Sequence, residues 1–262
     1  MNQPVKLYWS SSKRNFGDWL SPAICRILSG RPVEHALPNK CDLVAIGSIL
    51  GRVKQGWVSR KIHVWGTGFI EPQPAIASKH EYHAVRGHKT GELLKDVNIQ
   101  AFGDPGLLCD LLVPDHKAIG KKYALGIIPH YKDQNHPTVQ SFAAQHRSVT
   151  VLNVFSEPIQ LLREIAACEF ILSTSLHGLI AADAFAIPNA WLKLSDNIRG
   201  NDFKYLDYYS VFGFENPTPI TLGPHLTRAA FEKLSQNYER PNLPKIKQRL
   251  IESFPFPPPV EM

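Results

Sequence analysis

A chain of 262 residues, 44% of them apolar, can bury one large or two smaller α/β cores, and no apolar run approaches the roughly 20 residues that span a bilayer. The formal charge of +6 suits an anionic substrate or a phospholipid surface. No Lys/Arg block interleaved with aromatics marks a nucleic-acid groove, so nucleic acid is not an expected partner.

Short apolar runs alternate with helical stretches along the chain. Val5–Trp9 reads as a first strand, followed by a helix over about Gly17–Leu28 that Gly30 ends. Further strands are expected at Leu43–Ile46, Ile62–Trp65, Tyr82–Val85 and Gln100–Phe102, short and apolar as in a sheet covered on both faces. The polar stretch Asp115–Lys122 reads as a linker. A second series follows: strand Tyr123–Ile128, a helix near Val139–His146, strand Val149–Val154, a helix opening at Glu157-Pro158, strand Phe170–Leu172, helix Leu179–Phe185 and strand Ala190–Leu192. Amphipathic helices are expected near Lys204–Phe212, Thr227–Asn237 and Leu243–Phe254, before the Pro-rich tail at 255–259. The expected fold is α/β, with two Rossmann-like domains facing a cleft. They would cover residues 1–115 and 123–203, with a C-terminal helical segment and tail over 204–262.

Met1 to Lys6 lacks the apolar core of a signal peptide. Cys25, Cys41, Cys109 and Cys168 show no CxxC or zinc-type spacing and read as buried thiols in a reducing compartment. The expected location is therefore cytoplasmic, with peripheral contact at the inner face of the membrane compatible with the basic charge.

Candidate chemistry gathers where strands end. Ser173-Thr174-Ser175-Leu176-His177-Gly178 sets hydroxyls and an imidazole between the end of a strand and the start of a helix, where backbone amides and the helix dipole favour anions. His177 is the leading catalytic candidate, with Ser175 and the amides around Gly178 as ligands; a capped helix with an incidental surface histidine is the plainer alternative. His130, after Ile128-Pro129, stands at a neighbouring strand end. Asn15-Phe16-Gly17-Asp18 places Asp18 in a first helical turn, as a dipole cap or as a group that grips sugar hydroxyls. Gly47-Ser48 and Gly66-Thr67-Gly68 are glycine turns that let backbone approach a ligand, though tight turning alone explains both. Arg86 ends a strand and can hold a carboxylate or phosphate bidentately, or simply sit at the surface. Asp104, in Gly103-Asp104-Pro105-Gly106, can orient a partner or cap its turn. No spacing gives a metal site, and neither HExxH nor GxSxG occurs.

Taken in order, these segments resemble the polysaccharide pyruvyltransferase family over roughly residues 5 to 192. The matching pieces are Asn15–Asp18, Gly47–Leu50, Trp65–Gly68, Val85–Gly87 with Thr90, Gly103–Gly106, Ile128–His130, and Ser175–Gly178 with Ala186–Pro188. The short length and the Ser-Leu-His form look like the branch that acts on exopolysaccharide repeat units. The resemblance implies a glycosyltransferase-B-like arrangement and phosphoenolpyruvate as donor, with no cofactor. It implies a cyclic ketal on two hydroxyls of a sugar, the acceptor being a surface polysaccharide or its lipid-linked oligosaccharide precursor. Some members carry arginine where this chain has Ser175, so the anion grip would pass to Arg86, Lys193, Arg199 or backbone amides.

In this chemistry the donor methylene is protonated, a sugar hydroxyl attacks C2, phosphate leaves and a second hydroxyl closes the ring. Histidine titrates near neutrality and suits the proton transfers, with Asp18 or Asp104 assisting the acceptor. A nucleotide-sugar-dependent glycosyltransferase of the same architecture is the main rival, with Glu157 or Glu164 as ribose ligand. A catalytically idle binding protein is the third reading.

Overall fold

The structure is a computed structural model that describes residues 3–11, 16–54, 58–195, 200, 202–223 and 226–258. In chain order, β1 (Val5–Tyr8), α1 (Phe16–Ser29), β2 (Val33–His35), β3 (Leu43–Val44) and β4 (His63–Trp65) come first. Then follow β5 (Ile76–Ala77), β6 (Glu81–Val85), α2 (His88–Glu92), β7 (Leu94–Lys95) and β8 (Ile99–Phe102). Six strands form a parallel sheet in the order β2-β1-β3-β4-β6-β8, while β5 and β7 pair as a separate ribbon. Leu7, Val44, Val64 and Ala84 are fully buried, as strands covered on both faces require. At the starts of β4 and β6 half-buried His63, Glu81 and His83 alternate with buried neighbours. β2, which sequence analysis did not anticipate, is a polar edge strand with little apolar pattern to betray it.

The second series runs β9 (Tyr123–Ile128), α3 (Pro137–Gln145), β10 (Val149–Val151), α4 (Pro158–Ala166), β11 (Cys168–Ser173), α5 (Leu176–Ala184) and β12 (Asn189–Trp191). Its sheet is parallel, in the order β10-β9-β11-β12. β10 ends three residues before expected, because the Asn153 side chain accepts the Phe155 amide in a local turn. α5 begins at Leu176 rather than Leu179, so His177 is already helical. Three helices close the chain: α6 (Phe203–Ser210), α7 (Arg228–Gln236) and α8 (Leu243–Glu252).

Contacts divide the chain into two units, Met1–Leu108 with Gly200–Asn216 and Pro241–Met262, and Cys109–Arg199 with Pro217–Arg240. Residues after 200 thus form no unit of their own: α6 and α8 join the first unit and α7 the second. The division falls within the 3-10 helix Pro105–Leu112, ahead of the 115–122 stretch read as a linker. That stretch folds into a 3-10 turn at His116–Ala118, and Asp115 pairs with Arg163 of α4. In the first unit the Trp65 indole donates to Leu250 O at 2.9 Å, fastening α8 to the sheet. In the second, Phe231 of α7 packs on Phe170 of β11.

Candidate functional site

In an open parallel sheet, ligands favour the crevice beyond the strand C-termini where successive connections diverge. In the second unit that point lies between β9 and β11. β9 leaves through α3 to β10 on one side, and β11 leaves through α5 to β12 on the other, with Ile128 paired to Ser173. His130 stands two residues beyond Ile128, Ser175 two beyond Ser173, and His177 in the first turn of α5. Both histidines are half-buried, and His177 Nε2 is shielded from solvent. The sequence candidates His130, Ser175 and His177 thus follow strands that end at the same side of the sheet.

The edge is held by a hydroxyl network that sequence reasoning largely missed. Ser173 Oγ lies 2.9 Å from Ile128 O and accepts the Ser175 amide at 3.0 Å. Thr174 Oγ1 accepts the His130 amide at 2.7 Å and donates to Asp133 Oδ2 at 3.3 Å. Ser195, beyond β12, donates to Asp133 Oδ1 at 3.2 Å. Buried Asp133 therefore ties together the loops after β9, β11 and β12. It lies in a polar stretch, Tyr131–Asn135, that offers no apolar pattern to mark it as interior.

Gly178 plays a different part from the one expected. Its amide donates to Ser175 O at 3.0 Å within the helical turn, so that N–H is already committed. A Cβ there would fall 2.4 Å from Ser173 Oγ, so glycine is needed for α5 to sit against the end of β11. Lys193 is half-buried just past β12, its amide bonded to Ile220 O at 2.9 Å.

In the first unit the corresponding divergence lies between β1, which leaves through α1, and β3. Half-buried Asp18, in the first turn of α1, reaches towards the turn after β3. A Cβ on Gly47 would stand 3.9 Å from Asp18 Oδ1. Thr67 Oγ1 donates to Gly47 O at 2.7 Å, joining the turns after β3 and β4. Asn15 and Arg199 lie outside the described residues.

Arg86, expected to grip a donor oxyanion, is fully buried and engaged by the protein itself. Its Nε donates to Asp207 Oδ2 at 2.8 Å, one terminal nitrogen donates to Phe69 O at 2.6 Å, and the other to Ser48 Oγ. Asp207, on α6, also accepts from the Thr90 amide and hydroxyl, each at 2.7 Å. A Cβ on Gly87 would fall 1.8 Å from Asp207 O, so only glycine admits α6 this closely. Asp207 is 121 residues from Arg86, and no local spacing signals the pair.

Asp104 is buried after β8, with Oδ1 accepting the Gly106 amide at 2.9 Å. Burial pushes its carboxyl up to about 7, opposed by the Gly106 amide and the Arg86 charge and reinforced by the Asp207 charge. It is thus a carboxyl that can exchange a proton near neutral pH.

Sequence spacing excluded a metal centre, but the fold brings His63, Glu81 and His83 together at the starts of β4 and β6. That edge is opposite the one carrying Ser48, Arg86 and Asp104.

Two parallel α/β units, each with polar loops and glycine turns beyond its strand ends, define an α/β protein whose ligands would be sought at those strand ends. Comparison narrows this. The family model "Polysaccharide pyruvyl transferase" matches residues 3–196, and the chain belongs to that family. It is similar to the succinoglycan biosynthesis protein ExoV of Rhizobium meliloti, 26% identical over 209 residues, or 79% of this chain and 64% of that protein. An uncharacterized protein of Acanthamoeba polyphaga mimivirus is 30% identical over 158 residues, 58% of this chain and 55% of that protein. The chain therefore spans between about half and two thirds of these relatives' lengths. Among the described residues no helix is long and apolar enough to cross a membrane.

Proposed function

We propose that this protein transfers pyruvate from phosphoenolpyruvate to two hydroxyls of one sugar in a surface polysaccharide or its lipid-linked precursor. The product is a cyclic ketal, and the two units serve as the halves of a glycosyltransferase-B-like enzyme. The observation that carries the reading is His177 in the first turn of α5, beside the hydroxyl network at the switch point, in a chain of this family.

His177 delivers a proton to the donor methylene, a sugar hydroxyl attacks C2, phosphate departs with the C–O bond electrons, and a second hydroxyl closes the ring. The hydroxyl protons balance the one added to carbon and the one carried by the leaving phosphate. Asp18 or Asp104 assists the acceptor, Asp104 being supported by a carboxyl that titrates near 7. With Arg86 engaged by Asp207 and the Gly178 amide bonded to Ser175 O, the donor charge falls to Lys193 and to the start of α5 ahead of Gly178. Arg86 then acts by positioning Ser48. Acceptance of a lipid-linked sugar would bring the basic protein to the inner face of the membrane.

Two measurements test this. Phosphoenolpyruvate should raise the melting temperature while nucleotide sugars leave it unchanged; the reverse pattern would favour the glycosyltransferase reading. His177→Ala, folded normally by circular dichroism, should lose at least the ~100-fold in transfer rate typical of removing an acid–base group. Near-normal turnover by that variant removes the imidazole from the mechanism.

A further inference from the structure

The starts of β4 and β6 carry an unusual face for a parallel sheet. Alternate residues of β4 share a face, so His63 lies on the side of Trp65, and a register shift between Val64 and Trp65 leaves His83 as an extra residue of β6 that comes beside Glu81. Register pairs His63 with Glu81 on adjacent strands. The C-terminal segment covers this side: the Trp65 ring meets Phe254 and the His63 ring meets Phe256 edge-on at 5.1 Å. Apolar residues would fill such a place in an ordinary α/β sheet. Here two imidazoles and a carboxylate converge instead.

The spacing is that of a ligand set. His63 Nδ1 lies 2.9 Å from His83 Nε2 and 3.0 Å from Glu81 Oε2, and His83 Nε2 lies 3.8 Å from the same oxygen. Zinc bonds of about 2.0–2.1 Å in tetrahedral array place ligand atoms about 3.3 Å apart, which these distances bracket. A triangle with these sides has a circumradius of about 1.9 Å, so a point about 2.0–2.1 Å from all three atoms exists without any side chain moving.

We propose that His63, Glu81 and His83 form a binding site for a divalent first-row transition-metal ion of the zinc class, with its fourth position open to water. The donor set of two imidazoles and one carboxylate is a borderline nitrogen–oxygen set that suits such ions rather than magnesium or calcium. Outer partners are in place: Lys61 holds Glu81 through Oε1, leaving Oε2 to face the rings, and the Gln100 side chain bonds His83. The site lies at the N-terminal ends of the strands, roughly 10–15 Å along them from the loops bearing Ser48 and Arg86. It is independent of the pyruvyl-transfer reading.

The test uses the full chain without a histidine tag, stripped with chelator and titrated with Co²⁺ and then Zn²⁺. Wild type should take up one Co²⁺ with the intense visible absorption of a four-coordinate ion, displaced by Zn²⁺. Glu81→Gln, which keeps the shape and the Lys61 contact, and His83→Ala should each weaken binding by more than the ~10–100-fold that loss of an outer partner costs. His146→Ala, a change at an exposed histidine elsewhere, should bind as wild type does. Equal affinity in wild type and Glu81→Gln, or only the pale spectrum of a six-coordinate ion, would overturn the proposal. If His83→Ala fails to fold, Glu81→Gln alone decides the matter.

Discussion

Among the described residues each unit has a buried ion pair that fastens a returning C-terminal segment, but the two pairs lie at opposite ends of their sheets. In the first unit Arg86, just past the end of β6, pairs with Asp207 of α6, and both side chains are wholly inaccessible. In the second, Asp183 of α5 pairs with Arg240 at 2.9 Å, and it also accepts bonds from Tyr238 at 3.0 Å and from Asn189 at the start of β12. The first clamp therefore stands among the loops of the candidate site, touching Ser48 and influencing Asp104. The second stands where β12 begins, away from His177. Holding the fold and shaping the site are one task in the first unit and separate tasks in the second.

Removing one partner of a buried pair leaves a charge in low dielectric, which costs about 3–5 kcal/mol. Asp207→Ala and Asp183→Ala should both lose stability on that scale in denaturant unfolding. At a temperature where both remain folded, Asp207→Ala should also lose most turnover and Asp183→Ala little. Equal turnover losses would show that the position of the clamp is irrelevant.

Protonation offers the next contrast. Burial pushes the Asp104 carboxyl up to about 7 in the folded chain, against an ordinary 3.8. Below about pH 4 both states hold the proton and its favourable contribution is complete. As pH rises the unfolded chain ionises first, so stability falls, by up to about 4 kcal/mol once pH passes 7. Asp104→Asn should abolish that part of the pH dependence, measured as the difference between wild-type and variant unfolding curves from pH 4 to 8. An unchanged slope would mean that the buried carboxyl ionises as readily folded as unfolded.

The smallest effect belongs to the second unit's network. Thr174→Val removes the acceptor of the His130 amide and a donor to Asp133, and should cost about 1–3 kcal/mol. The companion measurement is turnover, which should fall if Thr174 sets the position of the histidine loops. A stability loss with full turnover would make the network purely structural.

Much of the fold was legible in the chain. Runs such as Tyr123–Ile128 and Phe170–Leu172 are apolar because both faces of a parallel strand are covered, so strands announce themselves without partners. The candidate edge of the second unit was legible for a related reason: Ser173–Gly178 sits directly at a strand-to-helix junction, and junctions are local. β2 was not, being a polar edge strand that buries little. Arg86 was singled out as a ligand because its position in sequence is that of a ligand. Its true neighbour lies on a helix that only folding brings back.

The amino-acid sequence by itself determined the succession of strands and helices, the parallel α/β class, the glycine turns and the family, since these depend on periodicity and short-range order along the chain. Tertiary structure alone decided that Arg86 pairs with Asp207, that burial pushes the Asp104 carboxyl up to about 7, and that His63, Glu81 and His83 converge. Those outcomes depend on which distant groups share a small, poorly solvated space, and electrostatic energy there is set by separation in three dimensions rather than along the chain.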